Sequence, residues 1–266
     1  MAIYHNTVLF VLCVLIPTVY YRIEAHMFNN VLNEKEVSNK KRGFLKKYIR
    51  HVLLPPPVEY KEYKNNQSVK LPREILPHFL LKDALENRKT VREFSQRKLS
   101  LKAISTILYY GFGLNTRQDK EDHRHYPSAG GKYPLECYLI NNKTRLKDGI
   151  YHYNVRDHSL EIINNNVPTQ LDVYIPQLAK IKSSLILIIT GIVRRTTQKY
   201  GVRGKRYLLL EAGHIGQTIQ LLSCALGMNS IPMGGGFQDK KIEQLIGVKH
   251  SVEPLIYMFT LGYAKH

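Results

Sequence analysis

Apolar positions along the chain recur at two different periods, about 3.6 residues in some stretches and 2 in others, and the switches between them mark the predicted elements. Leu101, Ile104, Ile107 and Leu108 keep helical spacing up to Gly111, behind Ser100, whose hydroxyl suits an N-cap. A longer helix is predicted over Arg206–Gly227, with Leu208, Leu209, Ala212, Ile215, Ile219 and Leu222 on its apolar side. Gly213 and Gly216 interrupt it. Each costs about 1 kcal/mol in a helix interior, so something is expected to approach the backbone closely there. A short helix follows over Lys240–Ile246, with Asp239 as its cap and Gly247 as its stop. Strands are predicted at Leu135–Ile140, at Gly149–Tyr153 with Leu160–Ile163 paired to it, and at Glu253–Gly262. Leu185–Val193 is apolar throughout, as a strand covered on both faces would be. Helices and strands interleave with hairpins, which favours an α+β fold over a doubly wound sheet. No internal repeat is visible.

The amino-terminal part has a different texture. Val8–Ile16 is an unbroken apolar run, too short to span a bilayer, which wants about 20 residues. Residues 1–25 fit a signal peptide, with Ala25 as the cleavage residue, or a short anchor; no Lys or Arg precedes the run, and a buried first helix or strand is the competing reading. Location therefore stays open between cytoplasm and export. Residues 26–70 read as a basic extension and a stiff linker: Lys35–His51 carries seven Lys and Arg, and Pro55, Pro56 and Pro57 close it. Residues 71–266 form the expected folded domain.

Composition adds an electrostatic constraint. Thirty-nine Lys and Arg against 21 Asp and Glu give a formal charge of +18, and an apolar share of 44% excludes an intrinsically disordered chain. Such charge suits nucleic acid, a membrane surface or an anionic cofactor. Nucleic acid is disfavoured, because the basic run has no recognition module around it; a membrane surface stays open. Three cysteines with no C-x-x-C pair exclude a disulfide-dense scaffold and a structural zinc site. Cys137 and Cys224 fall in predicted buried elements, and Cys13 would leave with a signal peptide. His123 and His125 lack a third ligand at convincing spacing and are read as loop. His214 is read as packed or cofactor-adjacent.

Three local constellations could carry chemistry. Arg88-Lys89-Thr90-Val91-Arg92 follows the short helical segment LLKDALEN and offers guanidinium, ammonium and hydroxyl donors to a phosphate, although a solvated charge run reads the same. Tyr126-Pro127-Ser128-Ala129-Gly130-Gly131 is a turn whose small residues let a planar ring lie against the chain, or simply a loop. Met233-Gly234-Gly235-Gly236-Phe237 exposes backbone amides to a ligand, or is a flexible turn. Neither G-x-G-x-x-G after a strand nor a Walker sequence is present, so a Rossmann site and a P-loop are unsupported.

Taken together, ENRKTVREFSQRKLSLKAISTILYYGFG, HYPSAGGKYPLECYLI, GIYHYN with HSLEII, QKYGVRGKRYLLLEAGHIGQTIQLLSCALGM, PMGGGFQDKKIEQLIGV and EPLIYMFTLGY resemble, in order, the nitroreductase-like flavoproteins, and within them the SagB-type dehydrogenase or azoline-oxidase branch. The resemblance covers Leu71–His266. It implies a mixed central sheet flanked by helices, in an interlocked homodimer with FMN at the interface. It assigns Arg88, Thr90 and Arg92, with Lys89 nearby, to the phosphate and ribityl chain. Pro127, Ser128, Ala129 and Gly130 contribute from the other subunit, and Gly234, Gly235 and Gly236 lie near the flavin edge. Lys265 stands in for the family's basic residue near the carboxyl end, and Lys89 replaces an arginine, losing its planar fork.

The branch's Lys-Tyr pair matches Lys199 and Tyr200. Oxidising an azoline to an azole removes a proton from carbon while hydride leaves, so a base must face the ring. Arg194, Arg195, Arg203, Lys205 and Arg206 are close in sequence and are expected to crowd Lys199. Adjacent residues do not share a helical face, so the pair is expected in a loop. The resemblance implies an FMN-dependent oxidoreductase acting on a small molecule or modified peptide. The alternatives are an NAD(P)H-dependent nitro or quinone reductase and a non-catalytic basic binding module.

Overall fold

The computed structural model describes residues 58–73, 76–115, 123–141 and 144–265. The apolar run of residues 1–25 and the basic stretch 35–51 lie outside the described residues, and the folded unit starts at Val58. Seven strands make one sheet: β1 (Ser68–Lys70), β2 (Leu135–Asn141), β3 (Gly149–Asn154), β4 (Ser159–Asn164), β5 (Leu185–Gly191), β6 (Met228–Met233) and β7 (Leu255–Tyr263), in the order β1-β4-β3-β2-β5-β7-β6. The helices are α1 (Leu81–Asn87), α2 (Leu101–Phe112), α3 (Leu171–Tyr174), α4 (Arg194–Tyr200), α5 (Arg203–Ala225) and α6 (Asp239–Leu245).

The fold is α+β as expected, but the sheet is not mixed. Every strand pair is antiparallel, and the one parallel contact among the described residues is the isolated bridge between Leu99 and Thr144. The reason lies in β7. Strands β5 and β6 run the same way on either side of the α4–α5 connection, as a helical crossover requires, but β7 inserts between them antiparallel to both.

β5 shows how the core is divided. Leu185, Leu187 and Ile189 join one buried cluster with Ile104, Ile107 and Leu108 of α2 and Ala212, Ile215 and Ile219 of α5. Ile186 and Ile188 join the other, with Leu171 of α3 and Ile242 of α6. A period of two therefore places alternate side chains in two helical layers, and the unbroken apolar run follows from burial on both faces. Ser100 caps α2 as expected, its Oγ accepting from Ala103 N at 3.1 Å. Asp239 does not cap α6; it is the first helical residue, Gln238 holds the cap position, and Gly247 ends the turn at φ +75°. The close approach expected at the two α5 glycines holds at Gly216, where a side chain would meet Tyr257 Cε1 at 2.9 Å, and not at Gly213, which faces open space.

Residues 58–70, read as linker, belong to the fold. β1 pairs with β4, and Lys61 Nζ reaches Glu253 Oε2 at 2.6 Å and the Tyr138 hydroxyl. Glu253 Oε1 also accepts from Tyr138 OH at 3.0 Å and Thr190 Oγ1 at 2.7 Å, so one buried carboxylate ties the segment to β2 and β5. No helix among the described residues is long and apolar enough to cross a membrane. Replacing Glu253 with Gln leaves the Lys61 ammonium without its counter-charge. The side chain of Lys61 is 20% exposed, so the expected cost is about 2 kcal/mol, below the 3–5 kcal/mol of a fully enclosed pair. Urea unfolding checks it: the midpoint should fall at unchanged slope, and an unmoved midpoint would show that this carboxylate does not anchor the segment.

Candidate active site

The site begins with a buried ion pair under α4. Arg195, its second residue, donates from Nη1 to Glu136 Oε1 at 2.5 Å and to the Tyr133 carbonyl at 3.1 Å. Glu136 Oε2 lies 3.1 Å from His152 Nε2, and His152 Nδ1 lies 2.8 Å from Glu161 Oε2. Burial alone would push the Glu136 carboxyl up, but the His152 hydrogen bond and the Arg195 charge hold it below its ordinary range. Burial likewise opposes the imidazolium, yet its two carboxylate partners raise the His152 pKa. The charged chain fixes α4 to β2.

Lys199 and Tyr200 occupy the last turn of α4, not the loop that convergence was expected to need. Their tips still both reach Gly130. A side chain added at Gly130 would lie 2.5 Å from Tyr200 OH and 2.9 Å from Lys199 Nζ. Lys199 Nζ stands 5.2 Å from the Tyr200 ring centroid, and that ring packs edge-on against Tyr207 at 4.9 Å. Two long side chains at a helix end bridge the divergence that their backbone positions impose. Gly130 is doubly required, because its φ of +64° also disfavours any residue with a Cβ.

The expected cationic crowding is only partly present. Arg195 is turned to Glu136, and Arg194 pairs with Glu59 at 2.5 Å. Arg203, Lys205 and Arg206 are exposed. The cation that senses Lys199 is instead Lys132, whose pKa is lowered by burial and then by the Lys199 charge.

The turn carrying Gly130 hangs on α5. Glu211 Oε1 accepts from Ser128 Oγ at 2.9 Å and Ala129 N at 3.1 Å, while Ser128 Oγ accepts from Tyr133 N at 2.8 Å. Burial raises the Glu211 carboxyl to about 7. Sequence reasoning missed Glu211; the signal was a carboxylate beside Leu208, Ala212 and Ile215 on an otherwise apolar helix side.

Elsewhere, Phe94 bridges antiparallel to Ala264, and Ser95 N donates to the Tyr263 carbonyl at 2.9 Å. This pairing brings Arg92 and Lys265 into one cavity of about 460 Å³, joined by Lys180 and Lys182, which the sequence did not signal. Lys265 Nζ is 3.8 Å from Glu93 Oε2. Arg88 is turned away toward α5, donating to Gln220 Oε1 at 3.2 Å, and Lys89 and Thr90 are exposed.

Gly234, Gly235 and Gly236 are exposed between β6 and α6. Gln177 Nε2 donates to the Gly235 carbonyl at 3.3 Å, and its amide fills the space a side chain at Gly236 would need. Gln177 Oε1 is buried without a hydrogen-bond partner, and Gly235 has open space where a Cβ would be. A basic cavity, an open glycine backbone and an orphaned acceptor suit a planar group carrying a phosphate.

The Nitroreductase family model matches residues 85–263 of this chain. The chain belongs to the nitroreductase family. The match takes in the site residues named above except Glu59, Ala264 and Lys265. A Methanocaldococcus jannaschii protein whose name places it among the nitroreductases, MJ1384, is 33% identical over 181 residues, 67% of this chain and 88% of that one. The microcin B17-processing protein McbC of Escherichia coli is 27% identical over 175 residues, 62% of each chain, so this chain spans less than two thirds of that relative. The structure of the Escherichia coli microcin synthetase McbBCD complex with truncated pro-MccB17 bound includes a chain that superposes with a TM-score of 0.57 at 18% identity, covering 94% of this chain and 95% of that one, which shows a shared fold. Membership makes the chain a nitroreductase-family oxidoreductase.

Other side chains are placed plainly. His214 is exposed on α5, neither packed nor enclosed. Cys137 is buried, and burial pushes its thiol well up, in keeping with an apolar role. Among the described residues no group of three His, Cys, Asp or Glu is placed to hold a metal ion.

A carboxyl raised from an ordinary 4.5 to about 7 binds a proton in the folded chain that the unfolded chain has released. Stability is therefore lost as pH rises from about 4.5 to about 7, by a sum on the order of 3 kcal/mol. Glu211→Gln should remove that loss and melt above the parent at pH 8. Equal pH dependence of the two melting temperatures would show that Glu211 does not titrate in this way.

Proposed function

We propose that the chain is an FMN-dependent oxidoreductase of the SagB-type branch, oxidising azoline rings of a peptide-like substrate to azoles. The observation that carries this reading is the approach of both Lys199 Nζ and Tyr200 OH to Gly130. Azoline oxidation removes two hydrogens from the ring, one as a proton and one with an electron pair. Bound FMN supplies the two-electron acceptor. Lys199 Nζ takes the proton from the ring carbon, and Tyr200 OH beside it hydrogen-bonds the substrate and fixes the ring's angle. Arg92 and Lys265, with Lys180 and Lys182 beside them in the same cavity, hold the phosphate and ribityl chain, while Arg88, Lys89 and Thr90 lie outside that cavity. Gly234, Gly235 and Gly236 border the ring system, with Gln177 Oε1 as an acceptor beside them.

Two copies complete the site in this reading, the Pro127–Gly130 turn of each facing the cofactor of the other. The outer side of α5 supports it: Leu209 and Leu210 are 58% and 56% exposed, and Gly213 beside them faces open space. A peptide-like substrate is supported by McbC, named for processing microcin B17, and by the complex of the same fold that holds truncated pro-MccB17. The identity to MJ1384 favours a second reading, NAD(P)H-driven reduction of nitro compounds or quinones at the same flavin. The direction of electron flow separates the two.

The first test is the absorption spectrum of the purified protein, with identification of the released chromophore. Stoichiometric FMN is expected; a colourless protein that takes up no added FMN would return the chain to a basic binding module. Lys199→Ala should then lower azoline oxidation by at least about a hundredfold while FMN stays bound, and full dehydrogenation in that variant would sink Lys199 as the base. Arg92→Ala should weaken FMN by about tenfold and leave riboflavin, which lacks the phosphate, unchanged. Equal losses for the two flavins would remove Arg92 from the phosphate site. Light scattering of the loaded protein should give a dimer, and a monomer with full flavin occupancy would contradict the shared site.

A further inference from the structure

One feature of the turn is unused by this chemistry. Both donors of Ser128 and Ala129 converge on a single oxygen of Glu211, and the other oxygen, Oε2, is buried with no hydrogen-bond partner. The side chain is only 3% exposed and cannot itself meet a substrate. It sits on the core side of α5, next to Ala212 and one turn from Leu208 and Ile215, where an apolar residue would pack at lower cost. What the carboxyl gains is a grip on the segment that leads into Gly130, which the tips of Lys199 and Tyr200 both approach.

We propose that Glu211 is the positioning residue of this site: by pinning Ser128 and Ala129 it sets Gly130 against Lys199 Nζ and Tyr200 OH, and its ionisation governs how firmly the amine is held in place. The inference rests on the reading of Lys199 and Tyr200 as the reacting pair. A carboxylate accepts both hydrogen bonds with charge assistance, whereas the protonated acid accepts them as a neutral group and grips less. The groups around it are Arg124 and Tyr126 from the segment leading into the turn, Lys132 just after it, and Lys199 and Tyr200 across Gly130. Arg124 opposes the effect of burial on Glu211, and Tyr126 is raised by burial and in part by Glu211. Ionisation is centred at about 7, within the range in which an enzyme works.

Competitive acetylation tests this without substrate or turnover. The full chain is treated with trace acetic anhydride from pH 5.5 to 9, and the labelling of Lys199 is read by peptide mass spectrometry as a ratio to exposed Lys64. In the parent the ratio should fall in a step centred near pH 7 as Glu211 ionises. Glu211→Gln keeps an acceptor for Ser128 and Ala129 but cannot ionise, and should lose the step. Glu211→Ala should raise the ratio about tenfold across the range, as the loss of two hydrogen bonds allows. A step that persists in Glu211→Gln, or parent-like labelling in Glu211→Ala, overturns the proposal. If the alanine variant does not fold, Ser128→Ala removes one of the two bonds to Glu211, together with the bond that Ser128 Oγ accepts from Tyr133 N, and should raise the ratio about threefold; an unchanged ratio counts against the proposal equally. The underlying reading fails separately: Lys199→Ala with full azoline oxidation would remove Lys199 as base and leave the labelling result standing.

Discussion

The constraint on which the rest depends is the burial of the central strands on both faces. β2 and β5 have no solvent side, so each polar group that reaches them must find its partner inside. Two charged chains answer that demand. One runs from Arg195 through Glu136 and His152 to Glu161, and the other joins Lys61, Tyr138, Thr190 and Glu253. The first is also what orients the site, because Arg195 stands four residues before Lys199 and binds the Tyr133 carbonyl just beyond the Gly130 turn. A single guanidinium thus holds both partners of the site, the helix end and the turn, to the same strand.

That dependence explains which parts were legible in the sequence. α2, α5, β2, β3, β4, β5 and β7 all carry a strong apolar period, and their predicted bounds differ from the observed ones by a few residues at most. β1 and β6 did not stand out. Both are sheet edges, β1 is three residues long, and Pro232 in β6 lacks a donor that an interior strand would need. α4 was missed for another reason: RRTTQKY has no apolar stripe, and it is held by the Arg195–Glu136 pair, whose two residues lie 59 positions apart in sequence.

The site divides along the same line. Lys199, Tyr200, Gly130 and Arg92 are candidates named from local motifs, and Lys265 from its place near the carboxyl end. Glu211, Gln177, Lys180 and Lys182 could not be named in this way. Glu211 takes its meaning from Ser128, 83 residues away, and Gln177 from Gly235, 58 residues away. The expectation that Lys199 and Tyr200 needed a loop failed because it treated direction at the backbone as direction at the tip, and both side chains are long enough to undo it.

The positive charge of the chain also looks different once the fold is known. Glu136, Glu161, Glu211, Glu243 and Glu253 are buried, against Arg124, Lys132 and Arg195 among the cations. Among the described residues folding therefore withdraws two more glutamates than Lys and Arg from the surface. The same act supplies the interior with carboxylates that orient helices and turns. That difference of two charges is small beside the formal +18 of the sequence; the cations that bear on the candidate site are Arg92, Lys180, Lys182 and Lys265, which line one cavity with Glu93 as its acid. Such a cavity selects an anion by the shortage of competing carboxylates as much as by the number of its cations.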